Sequence, residues 1–387
     1  MSLSRRSFVQ TLGAGAAGAW IGGRGLEGGR FSLEAFAAAE QNAAAGPRLI
    51  LSSNENPLGT PKPVLDAVRA AFTSTGRYPV AALESVAELL ARKHGVKPEN
   101  ILIGSGSTQL LRTSTHVFCS RTAGLVAAIP AYEECAGYAQ LMNYPVTGVK
   151  LNAELKMDLD ALLGASKGQG MVFYCNPNNP VATAVGGKAT RDFIAALHKS
   201  SPNTTVLVDE AYFEYATDPA YETMIPLAVT DPKVVVARTF SKAYGMAGLR
   251  VGYAVGHRDA IRKMADWDGD ASVNTLGLAA VQAALELPKS MWDIESRRNH
   301  DARAFTMKWF TDRGYQPTDS QTNFIFVDIK RPAADFRGAC ARENVHVGRN
   351  FPPYEKSHAR ISIGTMEEMR RAVQTFERAL ARPAAAA

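Results

Sequence analysis

The sequence predicts an α/β fold in which a mostly parallel, mixed sheet lies between helices. Short apolar and β-branched runs recur along the chain, and longer amphipathic segments separate them. Apolar strands separated by helices are typical of parallel sheets covered on both faces. The predicted strands here are 101–103, 125–128, 170–174, 205–208, 234–237 and 251–254, and helical patterns cover 108–118 and 190–199.

The last third of the chain has a different pattern, which predicts a second, smaller α+β domain. Its predicted elements are a long helical stretch over 276–312, strands at 323–327 and 360–363, and a closing helix at 367–380. A chain of 387 residues is long enough for two such units. We predict an N-terminal arm over 40–70, a large domain over 71–274 and a small C-terminal domain over 275–387.

Charge and composition argue against nucleic-acid binding. The net charge is +6, with 46% hydrophobic and 21% charged residues, which is ordinary for a soluble folded protein. Two of these positive charges come from the first 39 residues, where four arginines face two glutamates. The remaining charges are mixed and form no basic run that could follow a nucleic-acid backbone.

The four cysteines predict neither a metal site nor a redox motif. Cys119, Cys135, Cys175 and Cys340 are widely spaced, without a CxxC pattern or a Cys/His cluster. The even number would permit disulfides in an exported protein. The apolar residues before Cys119 and Cys175 instead favour reduced, buried thiols.

The N-terminus, over 1–39, resembles a twin-arginine export signal. Arg5 and Arg6 are followed by Ser7 and Phe8, then by a weakly apolar Gly/Ala-rich stretch and an Ala-rich end. The apolar part is too short and glycine-rich for a stable membrane anchor. The pattern predicts export by the twin-arginine machinery and a periplasmic location. A disordered tail with a chance arginine pair, and hence a cytoplasmic protein, is the alternative.

Two segments after predicted strands carry candidate catalytic residues. Lys242 follows Ser241 in a loop of small residues, and Arg250 comes eight positions later. Taken alone, Lys242 could be a surface lysine, although small residues suit a backbone that lies close to a ligand. Asp209 ends another strand, with Tyr212 three residues on. Ligands of open α/β sheets bind at such strand ends, but an aspartate there can also be a helix cap.

Two further segments offer polar groups at strand ends. Asn179 belongs to a turn with three asparagines and two prolines. Gly106, Ser107 and Thr108 lie in a Gly/Ser-rich turn that opens a predicted helix, where free backbone N–H groups bind phosphate. Each segment alone is weak, since the first is compatible with a plain turn and the second lacks a P-loop lysine.

Taken together and in this order, the four segments resemble the fold-type I pyridoxal-phosphate enzymes, and within them the histidinol-phosphate aminotransferase-like group. The likeness runs from the segment 51–59 of the arm, which contains an Asn-Glu-Asn-Pro motif, to 361–365, which is nearly all of the chain after the predicted signal. It implies pyridoxal 5′-phosphate as cofactor, with a Schiff base on Lys242 and with Asp209 facing the pyridine nitrogen.

The resemblance also implies the other cofactor contacts. Tyr212 and Asn179 would bind the O3′ oxygen, and Tyr132 would stack on the ring. Phosphate contacts are implied for Gly106, Ser107, Thr108, Ser241 and Arg250. Tyr78 matches a residue that reaches the site of a neighbouring subunit, so a homodimer with shared active sites is implied.

Substrate contacts are implied for Arg360, Arg349, Asn323 and Asn56. Arg360 matches the arginine that takes a substrate carboxylate by a two-point contact, and Arg349 matches a second arginine that could equally be a surface ion-pair residue. The sequence departs from the group at Thr108 and Gln109, at Val181 and Ala182, and at Leu58. These departures leave the cofactor chemistry intact but put histidinol phosphate in doubt as the substrate.

We therefore predict an aminotransferase that moves an amino group from an amino acid or related primary amine to a 2-oxo acid. Decarboxylation, β-elimination, racemisation or amine oxidation on the same scaffold is the alternative, since the fold does not select the bond broken at Cα. A non-catalytic periplasmic binding protein is a rival of another class. The complete lysine, aspartate and arginine set argues against it, because a binder needs no Schiff-base lysine.

Overall fold

A computed structural model describes residues 47–268 and 273–381. The predicted export signal, 1–39, and the first part of the predicted arm lie outside the described residues. Twelve strands occur in the described ranges: β1 (Leu49–Leu51), β2 (Ile101–Gly104), β3 (Leu125–Ile129), β4 (Val146–Lys150), β5 (Met171–Cys175), β6 (Thr205–Asp209), β7 (Val234–Thr239), β8 (Gly252–Gly256), β9 (Gln316–Pro317), β10 (Phe324–Asp328), β11 (Val345–Val347) and β12 (His358–Ser362).

Twelve α-helices occur in the same ranges: α1 (Lys62–Ala71), α2 (Val80–His94), α3 (Ser107–Phe118), α4 (Glu134–Leu141), α5 (Leu159–Ala165), α6 (Gly187–Ser200), α7 (Ile225–Ala228), α8 (Arg258–Asp268), α9 (Thr275–Glu286), α10 (Lys289–Thr311), α11 (Ala333–Ala341) and α12 (Met366–Ala381). No helix of the described ranges combines the length and the apolar character needed to cross a bilayer.

Seven strands form the central sheet, in the order β2-β8-β7-β6-β5-β3-β4. The pairs from β7 to β4 are parallel, and β8 runs antiparallel to both of its neighbours. Every residue of β5, β6 and β7 is buried, as the apolar runs require for strands covered on both faces. The predicted mostly parallel sheet between helices is confirmed.

Two smaller sheets involve the C-terminal part of the chain. In one, β10 lies between β12 and β9 in antiparallel pairing. In the other, β1 of the arm pairs in parallel with β11, and Leu49 and Leu51 pack in the hydrophobic cluster of the C-terminal elements. The described part of the arm is thereby fixed against the C-terminal elements. The predicted division at 274/275 stays a prediction.

The helical pattern predicted over 276–312 is two helices, α9 and α10, rather than one. Leu287 has an extended backbone, and Pro288 precedes the first residue of α10. Proline has no backbone N–H and disfavours a helical conformation in the residue before it, so the helix ends there. The other predicted elements of the chain agree with the structure to within two or three residues at their ends.

Candidate active site

The carboxyl ends of the central strands surround a cavity of about 290 Å³. Because β5, β6 and β7 are parallel, Cys175, Asp209 and Thr239 meet at one edge of the sheet. The cavity lining is Ser53, Asn54, Glu55, Ser107, Thr108, Ala131, Tyr132, Cys175, Asn179, Asp209, Ala211, Tyr212, Thr239, Ser241, Lys242, Ala247, Arg250, Arg349, Phe351 and Arg360. Eleven of the fifteen residues predicted from the sequence are among them.

Asp209 lies at the end of β6 and is 3% exposed. Its Oδ1 accepts a hydrogen bond of 3.2 Å from the backbone N–H of Ala211. Burial raises the pKa of Asp209 to about 7, although the hydrogen bond and the Lys242 ammonium act in the opposite direction. In the described ranges Asp209 forms no ion pair within 4 Å. A cation entering the cavity beside it would therefore restore the carboxylate.

Lys242 is half-buried in the loop after β7, with its Nζ 3.5 Å from the carbonyl oxygen of Ser53. Burial and the positive charge of Arg360 lower the pKa of Lys242 to about 8. A lysine with such a pKa is partly neutral near pH 8, and the neutral amine is the form that attacks a carbonyl group.

One group of residues in the cavity lining has the chemistry of an anion-binding site. Arg250 Nη1 is 3.5 Å from the Ser241 hydroxyl, and the first turn of α3 contributes Ser107 and Thr108. Gly106 has a φ of +76°, and a Cβ there would lie 2.3 Å from Arg250 Nη2, so only glycine leaves this space for the guanidinium. Helix N–H groups, hydroxyls and a guanidinium together suit a phosphate group.

Tyr212 and Asn179 are buried, line the cavity and have hydrogen-bond partners from other parts of the chain. The Tyr212 hydroxyl accepts a hydrogen bond of 3.1 Å from Asn54 Nδ2, and burial raises its pKa. Asn179 Oδ1 accepts a hydrogen bond of 2.7 Å from Arg360 Nη1. Both side chains are thus held in fixed orientations facing the cavity.

Arg360 is a buried guanidinium of β12 that has no carboxylate partner in the described ranges. Its Nη2 donates to the Ser52 carbonyl oxygen over 2.7 Å, and its Nε is buried without a hydrogen-bond acceptor. Burial lowers the pKa of Arg360 to about 10, which leaves it charged at neutral pH. An unpaired buried cation in a cavity wall is suited to receive a carboxylate.

Four predicted site residues do not line this cavity. Gly106 contacts the Arg250 guanidinium, which lines the cavity, but does not line the cavity itself. Asn323 and Asn56 bind backbone carbonyl oxygens instead, Asn323 that of Asn54 and Asn56 that of Ala243, and so hold the arm over the cavity. Tyr78 is 88% exposed and lies outside the lining.

Several lining residues carried little or no signal in the sequence. Asn54 belongs to the Asn-Glu-Asn-Pro motif, which indicated that this part of the arm is important. The motif did not predict the hydrogen bond between Asn54 and Tyr212. Phe351 follows Arg349 in a loop, and nothing in the local sequence distinguishes it. All four cysteines are free and buried, which confirms the expectation for Cys119 and Cys175, and Cys175 lines the cavity.

These residues fit pyridoxal 5′-phosphate. Within the described residues the buried Asp209 has no cationic partner within 4 Å, the glycine at 106 leaves room for the Arg250 guanidinium, and Lys242 lines the same cavity as Asp209 and Arg250. The fold and the site together define the class of pyridoxal-phosphate-dependent enzymes.

Comparison with known proteins identifies the family. Residues 47–376 match aminotransferase class I and II. A histidinol-phosphate aminotransferase of Symbiobacterium thermophilum is 35% identical over 85% of this chain and 90% of its own length, and histidinol-phosphate aminotransferase 2 of Methylococcus capsulatus is 36% identical over 82% and 86%. The solved histidinol-phosphate aminotransferase of Sinorhizobium meliloti in complex with pyridoxal-5′-phosphate superposes with a TM-score of 0.81, at 25% identity over 89% of this chain and 94% of that one.

The chain therefore belongs to the aminotransferase class I and II family. It is a pyridoxal-phosphate-dependent aminotransferase with the fold-type I architecture.

Proposed function

We propose that this aminotransferase attaches its cofactor through Lys242 and takes the amino group from an amino acid or related primary amine, with a 2-oxo acid as acceptor. The observation that carries the proposal is the convergence of Lys242, Asp209, Arg250 and Arg360 on one cavity. Ser107, Thr108, Ser241 and Arg250 would hold the phosphate, and Tyr132 would lie against the ring. When bound, the cofactor supplies an electron sink for the charge that develops at the donor Cα.

The chain's own residues bind the donor and move its proton. Arg360 receives the carboxylate, which orients Cα toward Lys242. Asp209 as a carboxylate keeps a neighbouring ring nitrogen protonated. The Lys242 amine, with a pKa near 8, would accept the proton from Cα and return it at C4′ of the cofactor, because a base with a pKa close to the working pH transfers protons in both directions efficiently.

The attachment site is tested by borohydride reduction followed by peptide mass analysis. We expect the mass of the reduced cofactor on the peptide that contains Lys242, and no such label on Lys242→Ala. Label retained on Lys242→Ala would overturn the assignment. Asp209→Asn should still bind the cofactor but lose most turnover, and near-wild-type turnover would refute the role given to Asp209.

We further propose a homodimer whose second subunit contributes Tyr78. Leu58, Phe72, Tyr78 and Val80 are between 53% and 88% exposed, so these apolar residues are accessible to a second subunit. Light scattering measures the mass directly. Mixing Tyr78→Ala with Lys242→Ala should restore part of the activity if the sites are shared, whereas a monomer, or mixed dimers without activity, would contradict the proposal.

We also propose export by the twin-arginine pathway, which rests on the arginine pair and the Gly/Ala-rich stretch after it. Replacing Arg5 and Arg6 together by lysine should retain the protein in the cytoplasm, as measured by cell fractionation with an antibody. Equal distribution of the wild type and the double variant would favour the cytoplasmic alternative.

A further inference from the structure

An ion pair lies at the mouth of the cavity, between two parts of the chain 216 residues apart. Arg349, two residues after β11, donates a hydrogen bond from Nη2 to Oε2 of Glu133. Glu133 directly follows Tyr132, which lines the cavity. The side chains of Arg349 and Glu133 are 50% and 59% exposed, so a substrate can reach both.

Arg349 is placed to contact the same substrate as Arg360. Each guanidinium carbon lies 4.5 Å from the centroid of the Phe351 ring, so the two carbons are at most twice that distance apart. The two arginines differ in one respect. Arg360 has no carboxylate partner in the described part of the chain, whereas the charge of Arg349 is already balanced by Glu133.

Building on the proposed function, in which Arg360 receives the donor carboxylate, we propose that Glu133 determines specificity by competing for Arg349 with the distal group of the donor side chain. The substrate class that follows is amino donors with uncharged side chains. Donors with a second anionic group, such as a carboxylate or phosphate, are disfavoured.

The competition follows from the charges at the mouth. An uncharged side chain leaves the Glu133–Arg349 pair intact. An anionic group has to displace the Glu133 carboxylate, which then remains nearby as a like charge. Exposed ion pairs are weak, so the displacement is possible, and removal of Glu133 is expected to change the affinity for an anion about two- to fivefold.

Dissociation constants of succinate and succinamate for the holoenzyme test the inference, because succinamate has a neutral amide of similar size and shape in place of one carboxylate. We expect Glu133→Gln to bind succinate about two- to fivefold more tightly than wild type, with binding of succinamate unchanged. The matched control is Glu377→Gln, since Glu377 is 61% exposed and pairs with Arg313 over 3.2 Å away from the cavity. The control should leave both constants unchanged.

The double variant Glu133→Gln/Arg349→Gln separates competition from general repulsion. If Glu133 acts through Arg349, removing Glu133 in the Arg349→Gln background no longer tightens succinate binding. Four results would overturn the inference. The dissociation constant of succinate could be unchanged in Glu133→Gln, or succinamate could bind more tightly by the same factor as succinate. The tighter binding of succinate could persist without Arg349, or neither ligand could bind detectably to any variant.

Donor turnover is measured separately, so the two proposals fail in different ways. The expected pattern of dissociation constants in a protein that transfers no amino group would support the inference and contradict the proposed function. Where amino transfer occurs, asparagine should exceed aspartate in kcat/KM for wild type, and this ratio should fall in Glu133→Gln. A wild-type preference for aspartate would overturn the inference.

Discussion

Replacing Asp209 by asparagine is expected to stabilise the cofactor-free protein at pH 8 while it removes activity. Burial raises the pKa of Asp209 from its usual 3.8 to about 7. Each pKa unit corresponds to about 1.36 kcal/mol, so the three units amount to about 4 kcal/mol. That free energy is what the folded protein loses by keeping an ionised carboxylate in a buried position without a cation beside it.

The sign of the effect depends on pH. Below pH 3.8 the carboxyl is protonated in both the folded and the unfolded chain, so it contributes no difference. Between 3.8 and about 7 the unfolded chain releases the proton while the folded chain retains it, which progressively favours unfolding. Above about pH 7 the loss in the free energy of unfolding caused by the buried carboxylate no longer changes with pH. The gain of Asp209→Asn is therefore about 4 kcal/mol at pH 8 and about 1.5 kcal/mol at pH 5.

Urea unfolding of the cofactor-free proteins, followed by tryptophan fluorescence at both pH values, measures this gain. Asp192→Asn is the control, because Asp192 is 65% exposed and pairs with Lys188 on α6. We expect less than about 0.5 kcal/mol of change there. A stability gain for Asp209→Asn that is absent at pH 8, or equal at the two pH values, would refute the electrostatic reasoning. Adding cofactor should stabilise the wild type more than Asp209→Asn.

Three other variants or treatments test separate parts of the site. Arg360→Met should raise the KM for carboxylate-bearing donors about thirtyfold or more and leave the KM for amines without a carboxylate unchanged. An equal rise in KM for both kinds of donor in steady-state kinetics would contradict the role given to Arg360. Tyr212→Phe leaves Asn54 Nδ2 without its acceptor and should lower the free energy of unfolding by about 1–3 kcal/mol in urea titrations; an unchanged value would show that Asn54 finds another partner. Thiol reagents should modify Cys119, Cys135 and Cys340 only after unfolding, since these three thiols are buried and free and do not line the cavity, and rapid labelling of any of them in the native protein would contradict the core packing.

The fold and the cofactor side of the cavity were predictable because they follow local rules. Buried parallel strands have continuous apolar runs, and polar residues at their carboxyl ends converge at one edge of the sheet. Asp209 ends a strand of this kind, and Asn179 and Lys242 follow two others, so their position at the carboxyl ends of strands could be inferred from the sequence. The catalytic and binding roles of these residues came from the resemblance to fold-type I enzymes, because the strand pattern alone does not predict them.

The substrate side was less predictable because its contacts depend on packing between distant segments. Asn323 and Asn56 were expected at the substrate, yet both side chains bind carbonyl oxygens, of Asn54 and Ala243 respectively. Whether an asparagine side chain binds a ligand or a nearby backbone carbonyl oxygen depends on its orientation. No periodic pattern in the sequence indicates that orientation. Glu133 was likewise missed, since its partner Arg349 is 216 residues away.

The most direct test of the central claim is the amino-donor half-reaction of the purified holoenzyme, carried out without any acceptor. A panel of amino acids is mixed with the protein, and the cofactor and the released acid are analysed after one turnover. We expect one donor or more to yield pyridoxamine phosphate and the matching 2-oxo acid in equal amounts, stoichiometric with the bound cofactor. Release of carbon dioxide, of the mirror-image amino acid or of an elimination product, without pyridoxamine phosphate, would contradict amino transfer at this site.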